Sequence, residues 1–233
     1  MSARLATFCL LLASASLAAA ASPGRETTGV FLLVRTGQAP AATFQEMRKE
    51  LADLMSPAGV PVHWEEPSGF HDVNGSTIVV DLSGKCRVPF HADAEPQGLR
   101  MPLGSTATAD GSILPFVQVN CGALASLIAP RIEDEPESLR EFVLGRALAR
   151  VLAHELYHIL TQSENHADSG VAKAALSIAD LTGSRFEFDE ATLGRIQASR
   201  GAGRQIAPFT DFQLPEPTQH GSPQQEPTPA REE

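Results

Sequence analysis

The sequence is poor in the residues that bind polyanions and poor in sulfur. Lys and Arg number 18 against 28 Asp and Glu in 233 residues, giving a formal net charge of −10 with no basic run. Phosphate backbones and anionic membrane surfaces are held by clustered cations, so neither nucleic acid nor a membrane surface is an expected partner. Cysteine occurs three times, at positions 9, 86 and 121. With no second sulfur near any of them in sequence, a thiolate-ligated metal site is not expected. There is no internal repeat, and no methionine follows Met101.

The one long apolar run outside a helical pattern lies at the N-terminus. Arg4 precedes an apolar stretch over residues 5–17, then Ala18-Ala19-Ala20-Ala21 and Ser22-Pro23-Gly24. A cationic start, an apolar centre too short to span a bilayer and a small-residue cleavage site mark residues 1–21 as a signal peptide. Thr7-Phe8 ahead of Cys9 is a poor match to a lipid-attachment site. The protein is therefore expected to be exported, secreted or periplasmic, with no stable membrane anchor once the leader is cut. Losing the single positive charge of Arg4 takes the net charge from −10 to −11. Cys9 leaves too, and Cys86 and Cys121 remain. Two cysteines in an oxidising compartment favour one disulfide, with about 3–4 kcal/mol expected from closing so long a loop.

Beyond the leader, residues 29–35 form a continuous apolar run and read as a buried strand. Pro40 opens a helical pattern to Met55, stopped by Ser56-Pro57-Ala58-Gly59. Residues 60–64 are a short strand that Pro61 places at an edge, and residues 76–82 are a third strand. Residues 84–111 read as loop. Thr108-Ala109-Asp110-Gly111 turns the chain into a strand over 112–121, where Pro115 indicates an edge or a bulge. A short helix is expected over 124–128. A long helix begins near Glu133-Asp134-Glu135-Pro136-Glu137, whose acidic residues oppose the helix dipole, and runs to about Gln162. Further helices are expected over 171–181 and 189–199, the second capped by Asp189. From Arg200 the composition turns to Gly, Pro, Gln, Thr and Glu, so residues 205–233 read as a disordered Pro/Gln-rich tail. About 180 residues lie between leader and tail, enough for one domain with a true core, set at 22–204.

The long helix carries the chemistry. Val151-Leu152-Ala153-His154-Glu155-Leu156-Tyr157-His158-Ile159-Leu160 contains H-E-x-x-H, and on a helix residues four apart share a face, so both imidazoles can meet one metal ion. Glu155 is about 60° around the axis from His158, placed to reach a water beside the ion without ligating it. The segment is apolar nearly all round, so this helix is expected to be buried. Buried histidines and a buried glutamate need partners. Zinc in a catalytic site takes three protein ligands and leaves a fourth position for water. His166 ranks first as the third ligand, being neutral and eight residues beyond His158. Glu164 follows, then Asp168, with Glu187 or Glu190 on a later helix as further alternatives. Tyr157 is assigned to packing and Trp64 to the core, while His63, His71, His91 and His220 have no partner spacing. Arg146 and Arg150 are expected to pair with acids such as Glu141 or a carboxylate not identifiable from sequence.

His154, Glu155 and His158 resemble the active-site helix of the zincin metallopeptidases. The preceding strand–helix–strand–strand order is similar to the N-terminal half of the metzincin clan. The resemblance implies an α/β (α+β) fold, a zincin-like single domain with a small twisted mixed sheet packed on a buried active-site helix and a helical C-terminal part. It further implies His154 and His158 as zinc ligands and Glu155 as general base. Its motif covers about fifteen residues. The chain departs from the metzincin pattern at Thr161, where that pattern has glycine, and at Glu164, where it has the third histidine. The Met-turn methionine has no counterpart.

The expected function is that of an exported zinc-dependent metallopeptidase acting on a peptide or protein substrate. One Zn2+ would polarise the scissile carbonyl and activate water, and Glu155 would carry its proton to the leaving amine. The alternative is a non-enzymatic exported protein with a closed structural zinc site, for which Glu164 or Asp168 would have to fill the water position. A third reading is a binding module without metal.

Overall fold

A computed structural model describes residues 30–36, 39–65, 76–89 and 102–202. The leader assigned to 1–21 and the tail assigned to 205–233 lie outside the described residues, as do His71, His91 and His220. In chain order the elements are β1 (Val30–Thr36), α1 (Ala41–Met55), a 3-10 turn (Ser56–Ala58), β2 (Val62–Glu65), β3 (Ser76–Ser83), β4 (Gly104–Ala109), β5 (Ser112–Asn120), α2 (Cys121–Ile132), α3 (Glu137–Thr161), α4 (Ile178–Thr182) and α5 (Glu190–Gly201). The strands form one sheet in the order β2-β1-β3-β5-β4. All neighbours are parallel except β4, which runs antiparallel to β5. The class is α/β, as the sequence implied, with a mixed sheet. No helix among the described residues is long and apolar enough to cross a membrane.

The apolar runs sit where both flanks are occupied. β1 pairs with β2 on one side and β3 on the other, and Val30, Leu32, Ile78, Val80 and Leu82 are core residues. In β3 the opposite face is buried too, at Thr77 and Val79, and a strand covered on both faces loses the polar alternation of a half-exposed one. Pro61 precedes β2, which is indeed an edge, and its carbonyl accepts the Val30 N–H at 2.9 Å.

Three expectations need correction, and a fourth is decided between its two alternatives. The stretch read as loop over 84–111 contains β4. Its residues, Gly-Ser-Thr-Ala-Thr-Ala, are too small to announce a strand, and pairing with β5 supplies what their side chains do not. β5 is interior, so of the two alternatives at Pro115 the edge fails and the bulge holds: its pairing with β4 shifts register between Thr106 and Thr108, opposite the segment that holds Pro115. The short helix expected at 124–128 is the twelve-residue α2, begun by the Asn120 side chain accepting the Ala123 N–H at 2.9 Å. The helix expected over 171–181 is reduced to the five residues of α4. The backbone of residues 171 and 172 is engaged elsewhere. Val171 N–H donates to Glu187 O and Ala172 O accepts from Ala167 N–H. Ser177 and Asp180 then start α4 late, with a capping box.

Cys86 and Cys121 form the disulfide, 35 residues apart in sequence and both fully buried. It joins the segment after β3 to the first turn of α2.

α3 is buried along most of its 25 residues. It packs on α1, β4, β5, α2, α4 and α5. A full burial of this kind requires a close approach somewhere, and Gly145 supplies it. A Cβ there would lie 2.5 Å from Thr43 O, 2.9 Å from Glu46 Cβ and 3.1 Å from Met47 N, all on α1. Five residues further along α3 lies the second fixture. Arg150, fully buried, donates from Nε to Glu50 Oε1 at 2.8 Å and from Nη1 to the carbonyls of Asp180 and Gly183 at 2.6 and 2.9 Å. Arg146 shares the same carboxylate at 3.5 Å and donates to Gly183 and Ser184 carbonyls. The acid not identifiable from sequence is thus Glu50, and Glu141 is not the partner.

Two predictions follow from these contacts. In an open helix, glycine to alanine gains up to about 1 kcal/mol. Gly145→Ala should instead lose about 1–3 kcal/mol, because α1 has to move away from the new methyl. Urea unfolding should show the midpoint falling with an unchanged slope. The second concerns Asp180, which accepts Lys173 Nζ at 2.6 Å and the Ser177 side chain and N–H. Burial pushes its carboxyl up, but these bonds outweigh it and hold the group below its usual 3.8. A depressed carboxyl stabilises the fold above its unfolded value and loses that contribution as pH falls through the folded one. Asp180→Asn should therefore flatten the acid limb of a thermal-melt profile below about pH 4.

Candidate metal centre

The helix α3 ends where the site needs it to end. Gln162, at φ 48°, takes the left-handed cap position, and its side-chain Nε2 donates to Ile159 O at 2.9 Å and to Ile113 O of β5 at 3.1 Å. The chain then doubles back. Tyr157, fully buried, donates its hydroxyl to Asn165 O at 3.0 Å, which fixes the return segment one residue before His166. The packing role assigned to Tyr157 is thereby given its physical content. Ala167 bridges to Lys173, closing the loop behind His166.

This path stacks His166 on His154, with ring centroids 5.2 Å apart and planes at 25°. It also sets His166 edge-on to His158 at 4.8 Å and 81°. One ligand nitrogen from each of His154, His158 and His166 lies within 4.8 Å of the other two, an arrangement that can hold a metal ion. Glu164 and Asp168 are exposed and stand outside this group, as do Glu187 and Glu190. Glu187 serves through its backbone carbonyl, which accepts the Val171 N–H.

The hydrogen bonds fix which nitrogens face the centre. His154 Nδ1 lies 2.8 Å from Val171 O and His158 Nδ1 lies 2.7 Å from Ser163 O. A carbonyl can only accept, so both Nδ1 atoms carry hydrogen. In neutral rings both Nε2 atoms are then bare acceptors, and they face each other at 3.1 Å. Burial, with the nearby His158 and His166, lowers the His154 pKa to about 4 against the opposing pull of the Val171 bond. His154 is therefore neutral at neutral pH, with its Nε2 lone pair directed at His158 Nε2, a donor that a cation in the gap would engage. With Zn–N bonds of about 2.0–2.1 Å, a tetrahedral ion sets neighbouring nitrogens about 3.3–3.4 Å apart, close to the observed gap. Backbone carbonyls holding the second nitrogen of each ring are the usual outer support of metal-binding histidines. Burial and His158 also lower the His166 pKa, favouring its neutral, ligating form.

Glu155 is 6% exposed. Its carboxylate lies against β4, where Thr106 Oγ1 donates to Oε2 at 2.6 Å. Burial, the largest effect, raises its pKa above 4.5, while the Thr106 bond and His158 pull it down. Thr106 and its neighbour Gly104 went unrecognised in the sequence because the strand bearing them did. The Asp110-Gly111 pair was the available signal. With φ of 50° and 74° they make a tight hairpin turn, which demands a strand on each side. Of the remaining candidates, His63 is an exposed residue of β2 stacked 5.0 Å from Phe31. Trp64 packs edge-on to Phe44 at 5.4 Å and against the core.

Comparison with models of known protein families, with curated proteins and with solved structures gives no match to this chain.

Losing a supporting bond behind a metal ligand costs about 10–100-fold in affinity. Losing a ligand should cost more. His166→Ala is expected to weaken zinc binding by more than about 100-fold in a chelator competition. Glu164→Ala should leave it unchanged.

Proposed function

We propose that this protein is an exported zinc-dependent metallopeptidase, hydrolysing peptide bonds with Glu155 as general base. The observation that carries this reading is the pairing, on one buried helix, of a three-histidine group with a carboxylate next to it in sequence. His154, His158 and His166 supply one ligand nitrogen each. No described carboxylate joins them, so the set matches a catalytic site with one position left for water and not a closed four-ligand site. Bound there, zinc would polarise the scissile carbonyl and bring the pKa of a coordinated water to about 7.

The chain's own part is proton handling. Glu155, with its pKa raised by burial, is a stronger base than a solvated carboxylate. Its task is to take the water proton and give it to the leaving amine. Thr106 anchors the carboxylate from the strand side, so that the proton is exchanged without a rearrangement of the side chain. The Cys86–Cys121 disulfide belongs to an oxidising compartment. Together with the leader assigned to residues 1–21, it supports export and the secreted or periplasmic location.

The test is Glu155→Gln in the purified chain lacking the leader. Zinc content should stay at one ion per chain, while hydrolysis of a mixed peptide library should fall about 100- to 10,000-fold, the usual worth of a general base. A wild-type protein that holds zinc and cleaves nothing would return the site to a structural role. A wild-type protein without zinc would remove the metal reading altogether.

A further inference from the structure

We propose that Thr106 is a positioning residue for the reaction, acting through the Glu155 carboxylate, with Gly104 leaving the space it occupies. The proposal rests on the peptidase reading above and deepens it. Gly104 and Thr106 are alternate residues of β4, and their half-buried side faces α3 while Ser105 and Ala107 between and beyond them are exposed. Thr106 Oγ1 donates to Glu155 Oε2 at 2.6 Å. A Cβ on Gly104 would lie 2.7 Å from Glu155 Oε1, 2.7 Å from Val151 Cγ1 and 3.1 Å from Glu155 Cγ. The carboxylate therefore lies in a slot walled by β4, with one oxygen held by the hydroxyl and the other beside a position where no side chain fits.

This arrangement divides the work between the two oxygens. The threonine hydroxyl has one hydrogen, and it is committed to Oε2. Oε1 has no bond from Thr106 and is the oxygen that takes the proton from water. A free glutamate side chain on a helix samples several rotamers. Holding it by one short charge-assisted bond fixes both its direction and the identity of the basic oxygen. Misplacement of a reacting group by about 1 Å costs on the order of 100-fold in rate, so the loss of this bond should be visible in turnover. The position of Thr106 on an edge strand, away from the metal ligands, makes it separable from metal binding.

Three variants test the assignment: Thr106→Val, which keeps the shape and removes the hydroxyl, Thr106→Ser, which keeps the hydroxyl, and Gly104→Ala, which fills the slot. In the zinc-loaded protein, Thr106→Val should lower kcat about 10- to 100-fold with KM and zinc content unchanged. Thr106→Ser should restore kcat to within a few-fold, and Gly104→Ala should lower it as valine does. A structural role alone would move melting temperature without separating kcat from KM and without rescue by serine. A readout independent of turnover is the visible d–d absorption of the cobalt-loaded protein. Thr106→Val should shift those bands in the same direction as Glu155→Gln, since both disturb one carboxylate beside the open coordination position. Bands that move with Glu155→Gln and stay fixed with Thr106→Val would overturn the proposal whatever the activity. So would bands that move with neither. If wild type cleaves no peptide, the peptidase reading falls and takes with it any role of Thr106 in turnover, while the cobalt comparison still decides whether Thr106 holds the Glu155 carboxylate beside the metal site. Equal kcat in wild type and Thr106→Val, with peptides cleaved, sinks Thr106 alone.

Discussion

Two imidazole nitrogens with their lone pairs turned on each other, 3.1 Å apart, are the constraint on which the rest of this structure depends. The contact is repulsive unless a positive charge lies between the rings. His154, its pKa lowered to about 4 by burial, does not bring that charge itself at neutral pH. The rings cannot turn away either, because the carbonyls of Val171 and Ser163 each hold the opposite nitrogen. Ring nitrogens fixed from behind by backbone carbonyls and turned on a common point form a group that can hold a metal ion. The His166 ring, stacked on one partner and edge-on to the other, completes it from the return segment.

Much of what holds those rings in place is remote from them in sequence. Burial lowers the His154 pKa, and burial of a whole helix needs a neighbour at close range, which Gly145 permits against α1. The same packing brings Glu50 of α1 to Arg150 and Arg146, whose remaining donors tie down the carbonyls of residues 180, 183 and 184. Those carbonyls belong to α4 and the turn after it, and Asp180 in turn holds Lys173 beside the loop of His166. A buried arginine is thus linked, through backbone groups, to the segment that carries His166. Its charge is costly to bury and is matched by Glu50 and by carbonyl oxygens, so that breaking any one contact exposes the cost of the rest.

Much of this was legible in the sequence, and the parts that were not share a cause. The apolar runs of β1 and β3, the periodicity of α1, α3 and α5, and the pairing of two cysteines are local or compositional signals, and the structure repeats them. His166 was found because eight residues of chain can turn back onto a helix end. β4 was missed because its residues are small and its strand character comes from β5. The helix expected at 171–181 failed for the opposite reason. Val171-Ala172-Lys173-Ala174-Ala175 has the composition of a helix, but Glu187, His154 and Ala167 claim its backbone groups. Glu50 as the partner of Arg150 lies 100 residues away, with no periodicity to announce it. In each case a tertiary hydrogen bond outweighed a local preference worth a few tenths of a kcal/mol per residue.

The missed strand matters most, because it bears on whether the three-histidine group is an open or a closed site. A closed site spends a fourth protein ligand on the metal, and the acids nearest in sequence, Glu164 and Asp168, face solvent outside the group. The one carboxylate that is buried beside the histidines is Glu155, and β4 occupies it with a hydroxyl. Burial raises the pKa of that carboxyl while the Thr106 bond and His158 pull it down. The strand that composition concealed therefore adds what the motif cannot, since the motif fixes only which residues are present and β4 fixes where the carboxylate is held.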